Sequence, residues 1–237
     1  KTPPGTASSR AAIRSLDGTC VPSTIYKKFT SVYWANKSVH EKGLPMNDFV
    51  GLSAIVTGGA SGIGAATAAM LQDRGAQVTV LDQQEPINPT AGITYILCDI
   101  RNRTDVDRCI KQSATAMGGI DILVNNAGIG STGDVSVGDD EEWHRVLDIN
   151  VVGTGRVSAA ALPHLRKSKS AAVVNVSSLV ALVGIPQRAI YAASKGAIYA
   201  LTLSMAADHV REGIRVNCVL PGTADTPWVT RLLANSS

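Results

Sequence analysis

Tyr191 and Lys195 stand four residues apart in AIYAASKGA, residues 189 to 197. On a helix that spacing is just over one turn, so a phenol and an ammonium share one face. Their neighbours Ala192, Ala193, Ser194, Gly196 and Ala197 are small enough for a flat ligand to lie against that face. A free tyrosine titrates near pH 10, so work as a general base near neutrality asks for a shift of about 3 units, or about 4 kcal/mol of preferential phenolate stabilisation. The lysine supplies one positive charge towards that shift. Such a pair is also common on plain helix surfaces, so its meaning depends on the elements that carry it.

Those elements read as an alternation. SAIVTG (53–58), QVTVLD (77–82), TYILCD (94–99), DILVNNAG (121–128), AAVVNVSS (171–178) and IRVNCVLPG (214–222) are short, β-branched runs of the kind found in buried parallel strands. Ala-rich helical stretches are expected near 62–74, 104–117, 141–167 and 189–212. Strands joined by helical crossovers predict one α/β domain, a doubly wound, Rossmann-type parallel sheet with helices on both faces. Ligands bind such sheets at the carboxyl ends of the strands.

At the first of those ends lies TGGASGIG (57–64), between a strand and a helix. Gly58 allows a sharp turn, Gly62 a close approach of a pyrophosphate and Gly64 tight helix-on-strand packing. Ser61 and Ile63 complete the turn, and the helix N-terminus offers N–H groups to phosphates. The second strand ends at Asp82, 18 residues past Gly64, where a carboxylate accepts from the adenosine ribose hydroxyls. It would repel a 2′-phosphate, and Gln83 follows instead of a base, so NAD is expected over NADP. Asp99 and Ile100, closing the third strand, are expected beside the adenine. An oxidised nicotinamide against the helix of Tyr191 would add a second positive charge near the phenol.

TGGASGIG, NNAG (125–128), NVSS (175–178), YAASK (191–195) and PGTADT (221–226), in this order, resemble the short-chain dehydrogenase/reductase family from about residue 50 onward. The resemblance implies reversible hydride transfer between NAD(H) and a secondary alcohol or ketone. Tyr191 is then the general acid/base, Lys195 lowers its pKa and holds the nicotinamide ribose, and Ser178 hydrogen-bonds the substrate oxygen. Asn150, in LDINVVG, corresponds to an asparagine in a long helix whose backbone anchors a proton-relay water. Asn125, Ala127 and Gly128 line the adenosine side, with Asn125 also bracing the central strands. Pro221 and Gly222 border the nicotinamide, and Thr226 holds its carboxamide.

The substrate would meet LVALVGIPQ (179–187) and DTPWVTRLL (225–233), where Gln187, Trp228 and Arg231 are the conspicuous polar or aromatic residues. GIRVNCVLPGTADTPWV is similar to members acting on sugars, polyols or small hydroxy acids, with a steroid or other bulky ketone as the alternative. The chain stops at WVTRLLANSS, so the resemblance implies a shortened C-terminus and a sheet without its usual last strand. A cofactor-binding chain without turnover is the reading that would follow if that segment is essential.

Composition excludes other classes. Residues 1–45 carry a net charge of +5 and residues 46–237 one of −2, so the main body is not built for nucleic acid. Residues 1–45, rich in Ser and Thr and poor in acids, read as a non-core extension: a leader, a tag or an organelle-targeting remnant. Residues 46–237 are expected to form the dinucleotide-binding domain, shortened at its C-terminus. No apolar run approaches the roughly 20 residues needed to cross a bilayer. Cys20, Cys98, Cys109 and Cys218 form no CxxC pair, Cys98 and Cys218 are expected as buried thiols, and a reducing, cytoplasmic setting fits them. His144, His164 and His209 lack metal-ligand partners at useful spacing, so no metal is expected. A homo-oligomer, dimer or tetramer, is the expected assembly.

Overall fold

The computed structural model describes residues 47–224. The six apolar runs form strands β1 (Ser53–Thr57), β2 (Gln77–Asp82), β3 (Thr94–Leu97), β4 (Ile122–Asn125), β5 (Ala172–Val176) and β6 (Arg215–Val219). All pair in parallel, in the order β3-β2-β1-β4-β5-β6. The order in which strands are added reverses between β1 and β4, which opens a crevice at the carboxyl end of the sheet. The expected loss of a last strand, the expected boundary at residues 45/46, and Thr226, Trp228 and Arg231 all fall outside the described residues.

Helices α1 (Gly62–Asp73), α2 (Arg103–Met117), α3 (Asp140–Leu147), α4 (Thr154–Leu165) and α5 (Ala189–His209) supply the crossovers. Because strand side chains alternate between faces, Ile55 joins one core cluster while Ala54 and Val56 join the other. The first cluster packs Ile55, Leu81, Leu123 and Val173 against Val106 and Ile110 of α2, Val157 and Leu165 of α4, and Met205 of α5. The second packs Ala54, Val56, Val78 and Val80 against Ala68 and Leu71 of α1. Each such buried aliphatic side chain stabilises the fold by about 1.5–3 kcal/mol. No described helix is long and apolar enough to cross a membrane.

Two polar features sit inside this apolar frame. Asn125 and Asn175 face each other in register across β4 and β5. Asn125 Nδ2 donates to Asn175 Oδ1 at 2.8 Å and to Ser158 Oγ at 2.9 Å, and Asn175 Nδ2 donates to Thr202 Oγ1 at 2.9 Å. The amides thereby tie the sheet to α4 and α5. The second feature breaks the single helix expected over 141–167: Asp148–Gly153 is a π-helical segment between α3 and α4. Asn150, 1% exposed, turns its side chain inward there. Its Oδ1 accepts from Ile129 N at 2.8 Å, and its Nδ2 donates to Ile129 O and Ser194 Oγ, both at 2.9 Å. The extra residue of the π turn lets this asparagine reach the segment after β4, a bulge of the kind that recurs at functional sites.

Candidate active site

The crevice holds a cleft of about 800 Å³ lined from the glycine turn, the ends of β2 to β5, the start of α5 and residues 221–224. Its adenosine-side wall begins at Gly58, whose φ of +66° suits glycine, and Gly62, whose φ is +56°. Gly64 does not line the cleft but shapes it: a Cβ there would stand 2.2 Å from Gly58 O and 2.4 Å from Asn126 Nδ2. Ser61 makes no side-chain cap on α1, whereas Asn102 and Asp139 cap α2 and α3. The first turn of α1 also carries no acid. Its N–H groups therefore face the cleft without a competing side chain, as phosphate binding requires. Gly64→Ala is expected to cost about 3 kcal/mol of stability, because the obstacle is backbone, and to raise the NADH Kd at least about tenfold. Urea unfolding and a fluorescence titration check the two parts.

Asp82 lines the same wall. Its Oδ2 accepts from Ala60 N at 3.0 Å and its Oδ1 from Gln84 N at 3.1 Å, so the turn and the carboxylate hold each other in place. Asp99 and Ile100 follow across the cleft. Arg101 pairs with Asp99 at 2.6 Å and holds its carboxyl below the usual value.

Two adjacent asparagines take different jobs. Asn125, expected to line the cleft as well as brace the strands, is 4% exposed and absent from the lining; its contacts are those within the sheet described above. Asn126 lines the cleft instead, donating to Thr57 O at 3.0 Å and Gly58 O at 2.9 Å. Thr57 Oγ1 in turn accepts from Asn126 N and Ala127 N, both at 3.1 Å. Period-two alternation along NNAG was the signal that separates the pair. Ala127 and Gly128 do line the cleft.

At the other end, Ser178, Tyr191 and Lys195 converge with Pro221 and Gly222. Lys195 is 6% exposed; its Nζ donates to Val176 O at 2.9 Å and lies 5.8 Å from the Tyr191 ring centroid. Burial pulls its ammonium down to about 8. Ser177, next to Ser178, points away and donates to Lys195 O at 2.7 Å, fixing α5 on β5. Ser178 Oγ accepts from Val180 N at 3.4 Å and also hydrogen-bonds the Tyr191 phenol. Lys195 was expected to lower the phenol. In this structure burial raises the phenol above its ordinary value, and the opposing influences are Ser178 and the charge of Arg188. The reason lies in Lys195, whose ammonium is itself disfavoured by burial and directed at Val176 O.

Asn150 is not in the lining, yet its Oδ1 is the group that a Cβ on Gly128 would meet, at 3.1 Å. Its main-chain oxygen accepts from Thr154 Oγ1 at 2.8 Å. Gln187, expected at the substrate, does not line the cleft. Its backbone is left-handed, with φ +59°, and its carbonyl accepts from Gly133 N at 3.0 Å. That turn places Arg188 in the lining, together with Arg145. Away from the cleft's centre, Cys98, Asp105 and Cys109 come within 4.8 Å of one another, a proximity that spacing across a strand and a helix conceals. The carboxylate is already committed there, accepting from Asp99 N at 2.7 Å and pairing with Arg108.

A parallel sheet in this order, with a glycine turn between β1 and α1 and an acid ending β2, defines the dinucleotide-binding class of α/β proteins. Residues 53–236 match the short chain dehydrogenase family, and the chain belongs to that family. It is thus an oxidoreductase of CH–OH groups that uses a nicotinamide cofactor. It is 38% identical over 191 residues to the cis-4-hydroxycyclohexanecarboxylate dehydrogenase of Sinomonas cyclohexanicum, covering 77% of each chain. Ligand-free aldohexose dehydrogenase of Thermoplasma acidophilum superposes with a TM-score of 0.77 at 34% identity, over 81% of this chain and 74% of that one. A 3-ketoacyl-(acyl-carrier-protein) reductase from Brucella melitensis, complexed with NADH, gives 0.73 at 30% identity, over 76% and 79%.

Proposed function

We propose that the chain oxidises a small, polar secondary alcohol with NAD, or reduces the corresponding ketone, through Tyr191. The observation that carries this reading is the convergence of Tyr191, Ser178 and Lys195 in one cleft with the glycine cradle. The cradle fits a dinucleotide: Gly58 and Gly64 leave no room for side chains, and α1 presents an uncapped N-terminus. When bound, the nicotinamide would accept or supply the hydride.

The rest is done by the protein. Ser178 holds the substrate oxygen beside the phenol, and Tyr191 gives or takes the hydroxyl proton. With its pKa raised by burial, the phenol is protonated at neutral pH and ready to act as an acid towards a ketone. Lys195, anchored by Val176 O, positions its charge next to the phenol and the expected ribose. Asn150 holds Ile129 and Ser194, whose hydroxyl donates to Tyr191 O, and so ties the segment after β4 to the helix of Tyr191. A small polar substrate agrees with relatives named for aldohexose and cis-4-hydroxycyclohexanecarboxylate. Exposed Val152, Leu203 and Val210 offer apolar surface for a homo-oligomer, and unbridged Cys98, Cys109 and Cys218 agree with a reducing cytoplasm.

The reading of NAD over NADP is supported by the carboxylate of Asp82, which would repel a 2′-phosphate, and by Arg101, which lines the same cleft but is already paired with Asp99. Titration with NADH and NADPH, followed by fluorescence, tests this: tighter NADH binding is expected, and equal affinities would reject Asp82 as the discriminating group. In Asp82→Ala the preference for NADH over NADPH should fall about 10- to 100-fold.

A further inference from the structure

Three arginines line the cleft. Arg101 is paired with Asp99 and Arg145 with Glu142. Arg188 is in no ion pair among the described residues, although it is only partly exposed and faces the phenol's end of the cleft. Its Nη1 donates to Thr132 Oγ1 at 2.7 Å and Ser131 O at 3.3 Å, which orients the guanidinium. Nε and Nη2 make no hydrogen bond with the described residues, so the side of the fork that suits two carboxylate oxygens is free.

The backbone around Arg188 is held on purpose-built contacts. Gln187 O accepts from Gly133 N at 3.0 Å, and Ala189 N donates to Gly133 O at 3.1 Å, forming a bridge across residue 188. Left-handed Gln187 is the only non-glycine with positive φ among the described residues, a local strain that the bridge sustains. The first turn of α5 carries no acid to neutralise the charge. A positive group fixed in a cleft without a counter-charge among the described residues is half of an ion pair.

We propose that Arg188 forms a carboxylate subsite, and that the substrate is therefore a hydroxy acid. This rests on the hydride-transfer reading above. Arg188 stands at the N-cap of α5, three residues before Tyr191, and lines the same cleft close enough for its charge to act on the phenol. A phosphate ester fits less well, because Lys195 is committed to Val176 O and Arg101 and Arg145 are already paired.

The matched pair 4-hydroxycyclohexanecarboxylate and its neutral carboxamide tests the subsite, with NAD and the full chain. Wild type should prefer the acid by about 30-fold or more in kcat/KM, and Arg188→Gln should erase most of that ratio through KM. Arg188→Lys should restore part of it, and NADH affinity should stay within about twofold in both variants. A wild-type ratio near one, or an equal loss for both compounds in Arg188→Gln, would overturn the subsite and leave Arg188 as a prop for residues 131–132. If neither compound turns over, the redox reading of this substrate range fails, and calorimetry on the enzyme–NADH complex decides the subsite separately. Tighter binding of the acid than of the carboxamide, lost in Arg188→Gln, then sustains it; equal binding removes it.

Discussion

Tyr191→Phe is expected to lower kcat by about 10³-fold while leaving the NADH Kd within a few-fold. The ring keeps its place on α5 and under Lys195, so the cleft keeps its shape; what goes is the proton that the hydroxyl carries. Stopped-flow or steady-state rates with a fluorescence titration on the same preparation separate the two quantities. A variant that retains the wild-type rate would remove Tyr191 from the proton path. Because Ser178 hydrogen-bonds the phenol, the variant also frees the serine hydroxyl, and a modest rise in KM should accompany the loss of rate.

Lys195→Met should act in opposite directions on rate and stability. Burial lowers the ammonium from 10.5 to about 8, so charging it costs the folded protein about 3 kcal/mol at neutral pH. The sign follows from proton counts: between about pH 8 and 10.5 the unfolded chain binds more protons than the folded one, so stability rises with pH there. Below that window the penalty is full. Methionine removes it but leaves Val176 O without its donor, an opposing cost of about 1–2 kcal/mol. The variant should therefore be about 1–2 kcal/mol more stable at pH 7, and the advantage should shrink by pH 9.5. Turnover should fall at least about 10²-fold. Urea unfolding at the two pH values reads the stability; a variant less stable at pH 7 would mean that the hydrogen bond to Val176 outweighs the buried charge.

The sequence made the scaffold legible because its signals are local. β-branched runs, Ala-rich stretches and the glycine turn each act over a few residues, and the strands and crossovers fall where those runs predict. The missed details come from contacts distant in the chain. DILVNNAG reads as strand to Gly128, but β4 stops at Asn125 because Thr57 Oγ1 takes the next two N–H groups. TYILCD loses its last two residues because Asp105 takes the N–H of Asp99. The run 141–167 has no local breaker at Asn150; the π turn exists because that side chain bonds Ile129 and Ser194.

The site divides the same way. Motif residues such as Gly58, Asp82, Ser178, Tyr191 and Lys195 were assigned by type and position, and the fold brings them to one cleft. Asn125 and Gln187 lie outside the lining and burial raises the phenol, features that depend on burial or backbone conformation that only tertiary structure sets. Arg188 carries no such local signal, since the left-handed turn at Gln187 sets its place in the lining.

The paired asparagines of β4 and β5 bear on how the chain finds this sheet at all. Strands as uniformly aliphatic as ILVN and AVVNV carry little information about alignment, since a slide along either would still bury Val against Val. A shift of one residue reverses every side chain between faces. It would move Asn125 into the layer under α1, away from Asn175, Ser158 and Thr202, and strand two buried amides with no partners. The amides thus act as an alignment pin, raising the energy of slipped assemblies and leaving one ordering of the sheet, the one that puts the ends of β1 and β4 level and opens the crevice between them.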